Sequence, residues 1–113
     1  MDLKLPEHLS YSKERIEELK TQKIFKKHKT PHIFLHCTSA YPSDERDKNL
    51  NCIPKLKKIL GEEVGFSGHG TGIIGAAGAT ILGAKVIEKH VTLNKKMLGP
   101  DHAASLEFDT FKY

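Results

Sequence analysis

The chain has 113 residues and a formal net charge of +4, which suits one domain or a piece of a larger one. So modest an excess of lysine and arginine, with no RNA-binding or helix-turn-helix signature, argues against a nucleic-acid partner. Cys37 and Cys52 are too few and too far apart for a metal knuckle or a redox pair. The N-terminus lacks the apolar core of a signal peptide, and the longest apolar run, Ile73 to Ala84, falls short of the ~20 residues that cross a bilayer. The expectation is a soluble, cytoplasmic protein with reduced thiols and no membrane partner.

In chain order, Ser12 to Lys29 reads as a helix. Ser12 suits its cap, Glu14, Glu17 and Glu18 come early, and lysines come late, as the helix dipole favours. Ile16, Leu19 and Ile24 give it an apolar stripe, and Lys23, Lys26, Lys27 and Lys29 read as its solvated C-terminal end. After Pro31, residues His32 to Cys37 read as a buried strand, and Thr38 to Ser43 as a polar loop. A second helix is predicted over Asn49 to Leu60, with Ile53, Leu56, Ile59 and Leu60 on one face, Pro54 in its first turn and Gly61 as its stop. Val64 to Ser67 reads as a second strand, Ile73 to Leu82 as a helix of small residues, and Lys85 to His90 as a third strand. A long loop, Thr92 to Ser105, precedes a few helix-like residues. This alternation implies a parallel sheet with right-handed crossovers. Three such strands leave two edges open, so the pattern reads as part of something larger.

Between Val64 and Ala84 there is no charged residue, and eight of the nine glycines fall from Gly61 to Gly83. Such a stretch reads as backbone lying close to a ligand, followed by a tightly packed helix and a buried strand. Side chains alternate along a strand, so Ser67 and His69 share one parity and Glu88 and His90 another. Each histidine then stands at the C-terminal end of its strand, where open α/β sheets and barrels bind ligands. Strands lie about 4.8 Å apart, so the two rings are expected within reach of one metal ion. Imidazole together with carboxylate or water suits Mn, Fe or Zn. Ser67, beside Gly68 and Gly70, is a candidate for phosphate contact, although no Walker lysine follows. Glu88 is expected to be buried, either as a paired structural carboxylate or in catalysis. Asp101 is either a ligand or a cap, and Tyr41 either a site residue or a loop anchor.

Four segments carry a resemblance. They are His36-Cys37-Thr38-Ser39-Ala40-Tyr41-Pro42, Gly65-Phe66-Ser67-Gly68-His69, Gly83-Ala84-Lys85-Val86-Ile87-Glu88-Lys89-His90 and Gly99-Pro100-Asp101-His102-Ala103-Ala104-Ser105-Leu106-Glu107. In order and spacing they resemble the sialic acid (N-acetylneuraminate) synthases and the relatives that make pseudaminic and legionaminic acids. The resemblance spans Pro31 to Phe111.

It implies an α/β fold, a partial (β/α)8 barrel of three parallel strands, units six to eight, with intervening helices. Residues 31–113 would form this partial barrel and residues 1–30 a helical segment of separate origin. The reaction it implies condenses phosphoenolpyruvate with N-acetylmannosamine or a related N-acetylated hexosamine, giving a nine-carbon 2-keto acid and phosphate. By motif position, His69 and His90 match the metal ligands, with Mn or Mg as the metal. Ser39 and Ser67 match positions that contact phosphoenolpyruvate, and Tyr41 and Asp101 positions near the sugar. No catalytic acid or base is assigned. The earlier strands of such a barrel, with their glutamates and phosphate-binding lysines, have no counterpart here. The isolated chain is therefore expected to be inactive, with a second copy of itself or a missing barrel half as partner. A non-catalytic remnant or metal-binding module of the same fold is the alternative reading.

Overall fold

The computed structural model describes residues 13–38 and 48–112. They divide into two units between His32 and Ile33. The first holds helix α1, Lys13–Lys27, with Glu14 in its first turn and Lys26 and Lys27 in its last. Arg15 pairs with Glu18 at 2.6 Å and Lys20 with Glu17 at 3.2 Å, one turn apart on the helix surface. The helix stops two residues before the predicted Lys29, which adopts a left-handed φ of 52°. Ile24 is 55% exposed, so the expected apolar stripe is only partly covered within the described chain.

The second unit alternates strand and helix. Strand β1 is Phe34–Cys37, α2 is Cys52–Leu60, β2 is Val64–Gly68, α3 is Ile74–Ile81 and β3 is Ile87–Lys89. The three strands are parallel in the order β1-β2-β3, with Cys37 opposite Ser67 and Ser67 opposite Glu88. Helix α2 places Ile53, Leu56 and Leu60 at the three- and four-residue spacing that makes one buried face. Gly61, at φ 66°, turns the chain out of it by donating its N–H to the Lys57 carbonyl. These residues, with Val64, Phe66 and Ala79, make the core. In α3 the buried positions are Gly75 and Ala79. A side chain on Gly78 would stand 2.9 Å from Leu50 Cδ1, so the small residues of α3 serve close approach, as the sequence suggests.

Alternation puts Val64, Phe66, Ile87 and Lys89 on the helix-covered side of the sheet and Leu35, Cys37, Gly65, Ser67 and Glu88 on the other. Two expectations give way here. The third strand is not buried: it lies at an edge, with Val86, Ile87 and Glu88 exposed. The glycines approach the chain's own groups, with Gly65 facing Leu35 and Val86, and Gly78 facing Leu50. Close packing of strand on strand and helix on loop accounts for both without a ligand.

Beyond β3 the predicted loop contains structure. Strand β4, Val91–Thr92, pairs in parallel with β5, Leu106–Glu107, and helix α4, Phe108–Phe111, follows at once. A 3-10 turn over His102–Ala104 leads into β5. Among the described residues no helix is long and apolar enough to cross a membrane.

Candidate functional site

The register of the sheet aligns Cys37, Ser67 and Glu88 in one row across three strands, on the side away from the helices. His69 follows two residues beyond Ser67, just after β2, and His90 two residues beyond Glu88, just after β3. Both are thus at the C-terminal rim of the sheet. Their rings meet edge to face, with centroids 5.7 Å apart. Ser67 and His69 are 6% and 7% exposed, so this rim is sheltered even though its neighbour strand is not.

Hydrogen bonds fix the chemistry of the cluster. His69 Nδ1 lies 2.8 Å from the Thr38 carbonyl oxygen, which can only accept, so Nδ1 carries the hydrogen. The Cys37 thiol sits farther off, 3.7 Å from the same nitrogen. With the hydrogen on Nδ1, the neutral ring presents a lone pair at Nε2, the atom a metal would take. Ser67 Oγ lies 3.3 Å from that Nε2 and donates its own hydrogen to Glu88 Oε1 at 2.7 Å. Glu88 is exposed rather than buried, and its role as a partner of Ser67 was not legible in the sequence. Strand parity would have put the two on one side of the sheet, but only the register puts them opposite each other.

The remaining predicted residues fall differently. Ser39 and Tyr41 lie outside the described residues. Asp101 is exposed and opens the 3-10 turn, yet its carboxylate forms no cap. Its main-chain carbonyl accepts from Ser105 Oγ at 2.7 Å. The adjacent His102 ring is held instead, with Nδ1 2.7 Å from Thr92 Oγ1. No group of three or more His, Cys, Asp or Glu side chains suited to a metal occurs among the described residues. The protein therefore offers two imidazoles, and water or substrate would complete the coordination. A groove of about 320 Å³ between α3, β3 and α4, lined by Ile73, Ala77, Ile87 and Phe111, lies on the helix side of the sheet and is separate from this cluster.

Comparison with known proteins agrees with the motifs. The chain is 49% identical over 98 residues to a pseudaminic acid synthase of Campylobacter jejuni, covering 85% of this chain and 29% of that protein. It is 51% identical over 75 residues to the human N-acetylneuraminate-9-phosphate synthase, covering 66% and 21%. Among solved structures it matches a sialic acid synthetase from Leptospira borgpetersenii, in complex with citrate, at a TM-score of 0.79 and 40% identity, covering 89% of this chain and 35% of that one. A spore coat polysaccharide biosynthesis protein of Bacillus subtilis matches at the same TM-score of 0.79 and 32% identity. The chain thus spans between a fifth and a third of the length of these relatives. The family model matches residues 3–113, which takes in α1 as well as the motif-bearing segments. With that match over nearly its whole length, the chain belongs to the NeuB family.

Proposed function

We propose that this chain carries strand units six to eight of a (β/α)8 barrel that condenses phosphoenolpyruvate with an open-chain N-acetylated hexosamine, forming a nine-carbon 2-keto sugar acid and phosphate. The observation that carries the reading is the meeting of His69 and His90 at the C-terminal ends of adjacent parallel strands, 5.7 Å between ring centroids. Barrels of this kind build their active sites at that rim. The relatives named as pseudaminic and N-acetylneuraminate-9-phosphate synthases support the sugar-acid class of product.

The donor set fits a divalent metal such as Mn or Mg, because the Thr38 carbonyl fixes the His69 tautomer that leaves Nε2 as a ligand. Bound there, the metal would supply Lewis-acid polarisation of the sugar aldehyde. The chain's own residues orient and shelter. His69 is held by main chain, and Ser67 and Glu88 line the same face of the sheet. That face carries no helix, so it needs the rest of the barrel against it, from a longer chain or a companion chain. The phosphate of phosphoenolpyruvate also needs cationic partners on that opposite wall, since positioning both substrates supplies several kcal/mol of such a rate acceleration.

The test is phosphate release from phosphoenolpyruvate with Mn and N-acetylmannosamine, measured on this chain alone and mixed with the first five strand units of a related barrel. Turnover is expected only in the mixture. A mixture that assembles, binds Mn and stays inactive would favour the metal-binding module without catalysis. Robust turnover by the chain alone would overturn the need for the opposite wall.

A further inference from the structure

Resting on the metal reading of the histidine pair, we propose that Glu88 is a positioning residue that turns Ser67 into a lone-pair donor toward the cation held by His69. The argument follows one hydrogen. Ser67 has a single hydroxyl hydrogen, and it points to Glu88 Oε1 at 2.7 Å. His69 has its hydrogen on Nδ1, facing the Thr38 carbonyl at 2.8 Å. Between Ser67 Oγ and His69 Nε2, 3.3 Å apart, there are then lone pairs on both sides. Such a contact is repulsive unless something positive serves both atoms, either a second ring proton or a metal ion. Two neighbouring donors on one octahedral cation, at bonds near 2.1 Å, lie roughly 3 Å apart. The observed spacing is close to that.

Ser67 would therefore meet the bound state as an acceptor, through its oxygen and toward the cation. It would not act as a donor of hydrogen to phosphate. Glu88 need not touch the cation to matter, because without it the hydroxyl is free to rotate and donate into His69 Nε2, occupying the lone pair the metal needs. Register is what makes this possible, since Ser67 and Glu88 are directly opposite across β2 and β3.

Two measurements on the full 113-residue chain test it. The first is Mn(II) affinity by electron paramagnetic resonance titration for wild type, Glu88→Gln, Ser67→Ala and the double variant, with folding checked by circular dichroism. Each single change is expected to weaken binding about 10-fold, as loss of a group supporting a metal ligand typically does, and the double variant to bind no more weakly than Ser67→Ala. Multiplicative losses would mean that Glu88 acts on the cation by charge alone and overturn the proposal, as would an unchanged Glu88→Gln. The second needs no metal. The His69 Nε2 nitrogen resonance is expected to shift upfield in Glu88→Ala, when the Ser67 hydroxyl turns to it, and to return in Ser67→Ala/Glu88→Ala. No shift overturns the proposal. A folded wild-type chain that binds no Mn at all overturns the metal reading itself, an outcome distinct from normal Mn binding that ignores Glu88.

Discussion

Gly65→Ala probes the closeness of the three strands that align the site. Gly65 is buried in the central strand, on the same side as Ser67. An added Cβ would stand 2.4 Å from Leu35 Cδ2, 2.5 Å from the Val86 carbonyl oxygen and 3.0 Å from Val86 Cβ. Leu35 can rotate, but the Val86 oxygen is main chain and accepts the Phe66 N–H at 2.8 Å. The methyl must push β2 and the start of β3 apart. Overpacking a filled site costs about 1–3 kcal/mol, and weakening that hydrogen bond adds about 1 kcal/mol. Together they give roughly 2–4 kcal/mol, a large share of the ~5–15 kcal/mol that holds a domain together. At ~4–8 °C per kcal/mol for a chain of this size, the melting temperature should fall by roughly 10–25 °C. The assay is thermal and urea denaturation followed by circular dichroism. Gly72→Ala serves as control, because nothing lies within 4 Å of its added Cβ. If Gly65→Ala melts with the control, the strands are not held as closely as described and the Ser67–Glu88 alignment loses its basis.

Gly83→Ala should destabilise through backbone strain alone, by about 1–2 kcal/mol, since its φ is +101° and the space around it is open; an unshifted denaturation midpoint would refute this. Thr92→Val should release the His102 ring at a loss of about 1–2 kcal/mol, seen as amide shifts confined to residues 92–105; unchanged spectra would mean that the 2.7 Å contact does not order the loop. Glu63 should titrate below the ordinary carboxyl value of 4.5, chiefly because the Lys57 ammonium hydrogen-bonds its carboxylate, against a small opposing effect of desolvation. Because the folded value is the lowered one, the pair's contribution to stability is present above about pH 4.5 and is lost as pH falls through the folded value. In Lys57→Met the Glu63 midpoint, followed by carboxyl carbon resonances, should return upward, and an unmoved midpoint would count against the assignment.

The elements that residue periodicity encodes were legible. Ile53, Leu56 and Leu60 at helical spacing, with Gly61 behind them, mark α2 to within a few residues, and the apolar run before His36 marks β1. Parity alone put Ser67 with His69 and Glu88 with His90 at strand ends. What sequence withheld depends on neighbours. The exposure of Val86 and Glu88 follows from the number of strands beside β3, which no local pattern records. The pairing of β4 with β5 joins two-residue strands across a loop, too short to carry periodicity. The register that sets Ser67 opposite Glu88 depends on how far two strands slide past each other. The glycines signalled close approach correctly, but sequence cannot say whether the approaching group is a ligand or the chain's own Leu35.

His90 stands where the chain leaves one hydrogen-bonded ladder for another, between β3 and β4, and its carbonyl accepts the Leu106 N–H at 2.9 Å. This gives the site an order of appearance. During synthesis the three-stranded sheet has all its residues once Lys89 has emerged, whereas the main chain of His90 gains its anchor only when Leu106 returns across the intervening loop. Closing such a loop carries an entropic penalty that grows only slowly with its length, so lengthening residues 93–105 would do little harm, but removing the return strand would leave the second histidine on a free end. The two imidazoles come from adjacent strands but mature at different times, and the later one takes its schedule from Leu106.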